Sequence, residues 1–163
     1  MQYDLIVWIT DGEWEAQRVR DALHTMRKSP LLGVNHAVIA KKDSAGRVSV
    51  LQWRDLSNSA GHRETQVLDC LVELTFGEPG ATMLNDLAAT GLDIDFLSLI
   101  GQKMQKNSSA LFFLLNRDGL GDTGELLDAL SLFRGKTNKT TLSEVTIATI
   151  QETNTFSSSS TPY

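Results

Sequence analysis

A single cysteine, Cys70, stands among the 163 residues. No internal disulfide can form, and a lone thiol points to a reducing, cytoplasmic compartment. Histidine is nearly as scarce, with only His24, His36 and His62. A metal centre wants two such ligands on one helix face, or several converging with the cysteine. His24 falls in a helical stretch, His36 at a strand edge and His62 before a further helix, and no spacing joins them. Neither a metal nor a cofactor is expected. Long apolar runs are missing too, since none approaches the roughly 20 residues that span a bilayer. Leu5–Ile9 is too short for the apolar part of a signal peptide, and Met1-Gln2-Tyr3-Asp4 carries no basic residue. The expectation is a soluble chain without a membrane span. Basic residues are the minority, 15 against 20 acidic ones, for a net charge of −5. That argues against a general nucleic-acid binder, whose affinity rests on cations that neutralise phosphates.

What is present is core-forming material. Hydrophobic residues make up 41% of the chain and charged residues 21%, as in an ordinary globular domain. One domain is expected over residues 1–152. Residues 153–163, with Ser157 to Ser160 in a row, read as a flexible tail.

The stretch from Asp93 to Leu115 organises the rest. Phe96, Leu97, Ile100 and Met104 recur at helical spacing. Asp93 or Asp95 can cap this helix, because a carboxylate accepts the free N–H groups of the first turn. Lys103 and Lys106 suit the negative end of the helix dipole. Asn107, Ser108 and Ser109 break the pattern. Ala110 to Leu115 then runs apolar without alternation, as a central strand covered on both faces does.

Upstream, Asp4 to Thr10 reads as a strand rich in β-branched and aromatic residues. Thr10-Asp11-Gly12-Glu13 matches a capping box, opening a helix to about Arg27 with Ala16, Val19, Ala22, Leu23 and Met26 inward. Asn35 to Lys42 and Arg47 to Trp53 flank the turn Asp43-Ser44-Ala45-Gly46, which predicts a β-hairpin. Val48 and Val50 share one face of its second strand, Leu51 and Trp53 the other. Val67, Leu68, Leu71, Val72 and Thr75 predict a further helix, and Met83, Leu84, Leu87 and Ala88 a shorter one. These helices form an insertion at about 57–91. Downstream, Gly124 to Phe133 reads as a helix and Lys136 to Leu142 as a polar edge strand. Val145, Ile147 and Ile150 fit a strand or a poor helix.

Without its insertion the order is β-α-β-β-α-β, the ferredoxin-like α+β pattern, with an extra C-terminal helix and edge strand. Asp93–Leu115 supplies its second α-β half. Such a sheet carries helices on one face. The other face then needs cover, from the inserted helices or from a second copy, and Trp8, Leu51 and Trp53 are the candidate interface residues.

Three blocks resemble a known family. They are D-L-I-V-W-I-T-D-G-E-W-E-A-Q-R-V-R-D-A-L, A-V-I-A-K-K-D-S-A-G-R-V-S-V-L-Q and G-L-D-I-D-F-L-S-L-I-G-Q-K-M-Q-K-N-S-S-A-L-F-F-L-L. Over roughly Asp4 to Ser143 the chain is similar to the bacterial domain of unknown function 1269. That family usually carries a long Gly- and Ala-rich apolar segment after the hairpin. Here Ser57 to Ala89 is shorter and more polar, with His62, Arg63, Glu64 and Asp69 among its charges and polar groups. The resemblance therefore implies the fold, but neither membrane insertion nor a reaction, cofactor or catalytic residue.

The remaining chemistry is sparse. Cys70 lies within an apolar helical pattern and reads as a buried, inert thiol. Asp93 and Asp95, with Asn85 and Asp86 upstream, lack the glycine and closing glutamate of a calcium loop. Gly119, Gly121, Thr123 and Gly124 lie between a strand and a helix start, where flexible backbone can cradle a phosphate. No P-loop lysine accompanies them, and Asp118 and Asp122 would repel an anion. Arg18, Arg20, Arg27, Lys28, Lys41 and Lys42 could form a basic patch, although a solvated face is the ordinary reading. The first functional expectation is a non-enzymatic interaction or regulatory module, a homodimer or larger homo-oligomer that self-associates through its sheet face and also suits a protein partner. The second is a nucleotide or metabolite sensor, binding at residues 117–124 or at a dimer seam.

Overall fold

The computed structural model describes residues 2–26, 36–53, 62–77, 80–116 and 123–159. Strands β1 (Gln2–Asp11), β2 (His36–Lys42), β3 (Val48–Trp53), β4 (Ser108–Asn116) and β5 (Lys136–Ser143) make one antiparallel sheet. Its order is β3-β2-β4-β1-β5. The helices are α1 (Glu15–Thr25), α2 (His62–Phe76), α3 (Ala81–Ala89), α4 (Ile94–Lys103), α5 (Thr123–Leu130) and α6 (Glu144–Ser159). Among the described residues no helix is long and apolar enough to cross a membrane.

β4 is the middle strand, and its unbroken apolar run follows from cover on both sides. Ala110, Phe112 and Leu114 join one core with Leu5, Val7 and Val38. Leu111, Phe113 and Leu115 join the other with Ile6, Trp8 and Ile39. Successive side chains of a strand point to opposite faces, so each face needs its own apolar set. Burying each of the two phenylalanines contributes up to about 3 kcal/mol.

The first core is roofed by α2, α3, α4 and α6, through residues such as Leu68, Leu71, Leu87, Leu97, Ile100 and Ile147. The second is roofed by α1 and α5, through Val19, Leu23, Leu126 and Leu130. Here the structure departs from the sequence expectation. α4 does not lie beside α1 as the second helix of a one-sided sandwich. It packs with α2 on the opposite face, where a Cβ at Gly101 would lie 2.7 Å from the backbone oxygen of Thr75. Only glycine lets the two helices approach so closely. The strand order differs as well. β3 is an edge strand, and β4 rather than the hairpin's return strand lies between β1 and β2. Of the two covers expected for the other face, inserted helices or a second copy, the chain's own helices supply it over β1, β2 and β4.

Two local expectations are also corrected. The capping box at Thr10 does not form. Thr10 belongs to β1, and its hydroxyl donates to the backbone oxygen of Arg134 at 2.6 Å. The helix starts later, at Glu15, with no cap from its own neighbourhood. Instead the Ser109 hydroxyl on β4 accepts from Ala16 N–H at 2.9 Å and donates to the Gly12 carbonyl at 2.7 Å. At the C terminus, Ser143 caps α6 by accepting from Thr146 N–H at 3.2 Å. With Ile147 and Ile150 buried, the helix propagates through Ser159. Of the stretch read as a tail, residues 153–159 continue this helix, since extending a nucleated helix costs little per residue, and residues 160–163 lie outside the described residues.

Other expectations match. Asp93 caps α4, its carboxylate accepting from Phe96 N–H at 3.0 Å. The hairpin turn is held by Asp43, whose carboxylate accepts from the N–H groups of Ala45 and Arg47, both at 2.9 Å. The Arg47 N–H is the main reason that the Asp43 carboxyl titrates below its ordinary range.

Candidate functional site

Among the described residues, two places present chemistry that the fold itself does not consume. The first is the outer edge of the sheet at β3. Among the described residues β3 pairs with β2 alone. Val50 is 43% exposed and Leu51 40%. They lie on opposite faces, because Val50 stands across from Ala40 and Leu51 across from Ile39. Six residues, Val48 to Trp53, pass without a charge. An apolar edge with free backbone groups is a template for pairing with another chain. Beside it, on the α1 face, Lys41 Nζ stands 3.4 Å over the ring of Trp14. That cation–π contact holds a tryptophan that is 55% exposed.

The second place is an open groove of about 930 Å³ where β1 ends and β5 begins. Ile9 and Phe133 supply apolar walls, and Lys103, Arg134 and Lys136 supply cations. Lys103 ends α4, where its charge faces the negative end of the dipole. Its ammonium donates to Asn138 Oδ1 on β5 at 2.8 Å. Arg134 and Lys136 flank Gly135, and this turn is clamped. Thr10 holds the Arg134 carbonyl, Lys136 is in register with Ile9, and a Cβ at Gly135 would land on the indole of Trp8. Among the described residues, none of the three cations has a carboxylate within salt-bridge distance. Asp11 and Glu15 line the groove as well.

The residues singled out from the sequence separate. Trp8 is completely buried inside the chain, so its cover comes from the turn at Gly135 and not from a second copy. Leu51 is on the surface, and the side chain of Trp53 lies outside the described residues, although its backbone ends β3. Gly119 and Gly121 lie outside the described residues. Thr123 and Gly124 open α5, and the Thr123 hydroxyl donates to the buried Asp4 carboxylate at 2.8 Å. Thr141 donates to the other oxygen of Asp4 at 3.3 Å. That start of α5 is thus tied to β1 and β5.

Cys70 is buried in α2. Burial, helped by the charges of Glu73 and Asp69, pushes its thiol up to about 12, so the reactive thiolate is suppressed. Asp93 acts as a cap. Of the proposed basic patch, Arg27 and Lys28 lie outside the described residues, and the others make separate contacts. Arg18 reaches Glu15 at 4.0 Å and Arg20 reaches Asp21 at 2.7 Å. Lys42 donates to the Met104 carbonyl at 2.9 Å. Sequence reading missed Arg134 and Lys136; the visible signal was the triplet Arg134-Gly135-Lys136 between a helix end and an edge strand.

Comparison with known proteins adds no relative: no family model matches the chain, and no curated protein or solved structure does either.

Proposed function

We propose that this chain is a non-enzymatic interaction module that self-associates edge to edge through β3, forming a homodimer with one sheet running through both copies. The observation that carries the reading is the uncharged β3 edge, with Val50 and Leu51 exposed on its two faces. Support comes from the helices that roof both faces of the inner strands, which leave the sheet's edge rather than its face for a partner. A second copy fits this edge best. Recognition without charges falls to backbone hydrogen bonds and apolar contact, and a twofold axis makes one such strand complementary to itself. Antiparallel pairing about Val50 sets Val50 against its counterpart and Leu51 against Ser49 of the second copy.

The finer fold assignment belongs to the same proposal. β1, α1, β2, β4, α5 and β5 form a β-α-β-β-α-β series with α1 and α5 packed on one face. We read this as a ferredoxin-like core. β3 and α2 to α4 then stand as an insertion between its second and third strands. Kinship with the bacterial family of domain of unknown function 1269 rests on the sequence blocks quoted above. A cytoplasmic setting is supported by the single, buried cysteine.

Size-exclusion chromatography with light scattering over a wide concentration range tests the assembly. A mass of twice the chain that falls on dilution is the expected result. A strict monomer at every concentration rejects the proposal.

A further inference from the structure

The groove at the β1–β5 end is independent of the β3 edge. A chain with five more acidic than basic residues places Lys103, Arg134 and Lys136 around one opening. They come from three places in the fold: the end of α4, the turn after α5 and the start of β5. The three cations outnumber the two carboxylates that line the groove, and among the described residues none of the three is in a salt bridge, so a bound anion is favoured beside them. The backbone beneath two of the cations is tied down. The Thr10 bond to the Arg134 carbonyl, the packing of Gly135 on Trp8 and the Lys136–Ile9 register fix the backbone that carries two of the cations. A site whose backbone is already fixed loses less entropy on binding. The groove volume is within the range of small-molecule sites.

The acids limit what the anion can be. Asp11 and Glu15 line the same groove from the end of β1 and the start of α1. Glu15 also reaches Arg18 at 4.0 Å. A bare polyanion would meet these carboxylates. A ligand with an anionic head and hydrogen-bond donors at its other end satisfies both sets.

We propose that the groove binds a small metabolite whose phosphate or carboxylate head sits among Arg134, Lys136 and Lys103, with hydroxyl or ammonium donors turned to Asp11 and Glu15. The cationic side fixes the head through charge-assisted hydrogen bonds, and the guanidinium of Arg134 can grip it with two donors. The acidic side selects among anions by what is attached to the head.

Calorimetric titration of the full chain at low salt tests this, with ribose 5-phosphate, glutamate and inorganic phosphate as probes at millimolar concentration. Ribose 5-phosphate or glutamate should bind, and more tightly than inorganic phosphate; whichever binds identifies the head and its donors. The double variant Arg134→Gln/Lys136→Gln should weaken that binding by roughly tenfold or more, because it removes two charge-assisted contacts. Asp11→Asn/Glu15→Gln should narrow the gap between that probe and inorganic phosphate. Lys139→Gln, a change of an exposed cation that stands across from Ile6 on the other face of β5, should leave binding unchanged. The proposal is overturned if no probe gives heat of binding, or if the double cation variant binds as the parent does. Inorganic phosphate binding as tightly as the other two overturns the assignment of the donor end. Because these variants leave Val50 and Leu51 untouched, the outcome separates from that of the assembly experiment.

Discussion

The two edges of the sheet obey the same backbone rules and are built from opposite chemistry. β3 offers Val48, Ser49, Val50 and Leu51 without a charge, while β5 offers Lys136, Lys139 and a run of threonines. Lysines and hydroxyls on an edge keep it solvated and discourage pairing with a second sheet. β5 is also tied inward, through Thr141 to Asp4 and through Asn138 to Lys103 on α4. β3 hydrogen-bonds to β2 alone among the described strands. Among the described residues, one edge is thus tied to the rest of the chain, and the other is paired on one side only. On the tied edge, the backbone that carries Arg134 and Lys136 is held against β1 and Trp8.

The contrast makes Trp8 a test of what is interior. If it belongs to the tied side, its loss harms the single chain and not only an assembly. Trp8→Ala should cost about 4 kcal/mol of stability, as large-to-small changes of buried aromatics do. Urea unfolding at low protein concentration measures it, and a loss that appears only at high concentration would return Trp8 to an interface. Gly135→Ala acts on the same clamp from the other side. Its methyl group meets the indole, and overpacking of that kind should cost about 2 kcal/mol. Hydrogen exchange should then quicken along Lys136–Ser143 while β2 and β3 keep their protection. Equal loosening of both edges would show that the clamp does not secure β5 in particular.

What the sequence revealed divides along a physical line. α4 was legible because its start signal, Asp93, caps Phe96 three residues on. The hairpin was legible because Asp43 bonds within its own turn. Local signals of that kind sit in a short window. The start of α1 was not legible, because its cap is Ser109, 93 residues from Ala16. The strand order was hidden too. α4 and α5 carry similar amphipathic stripes, and it takes the packing of Leu97 and Ile100 and the close approach at Gly101 to assign α4 to the α2 side. Of the candidate interface residues, alternation put Leu51 and Trp53 on one face of β3, but the exposure of Leu51 follows from the edge position of β3 in the strand order. Trp8 could not be told from a surface tryptophan until the turn at Gly135 lay over it. The groove was invisible for the same reason as the Ser109 cap: its cations and acids come from segments that only the sheet register brings together.

The edge contrast itself is tested by substituting lysine where β5 already has it. Leu51→Lys should leave the stability of the single chain within about 0.5 kcal/mol, since the site is on the surface. Yet it should weaken dimerisation by roughly tenfold or more, because a charge must then be desolvated at the centre of the pairing. Light scattering of the variant and its parent at matched concentrations decides between these outcomes. An unchanged dimer would mean that the copies meet elsewhere.

The smallest effect is the most discriminating. Lys139 on β5 and Leu51 on β3 occupy the same face of the sheet at its two edges, since Lys139 stands across from Ile6 and Leu51 across from Ile39. In the double variant Leu51→Lys/Lys139→Val the chemistry of the two edges is exchanged at one position each. If apolar character alone makes an edge sticky, this protein should regain weak, concentration-dependent association through β5. The threonines and Lys136 remain, so the regained dimer should be weaker than the parent's. Stability of the single chain should change by less than about 0.5 kcal/mol, as for other surface substitutions. Sedimentation velocity across a concentration series reads the association directly. A double variant that stays monomeric would show that β5 is protected by its shape and its ties to α4, and that the lysine is incidental. β3 would then be sticky because, among the described residues, β2 alone holds it, and the difference between the edges would lie in how they are anchored rather than in which residues they expose.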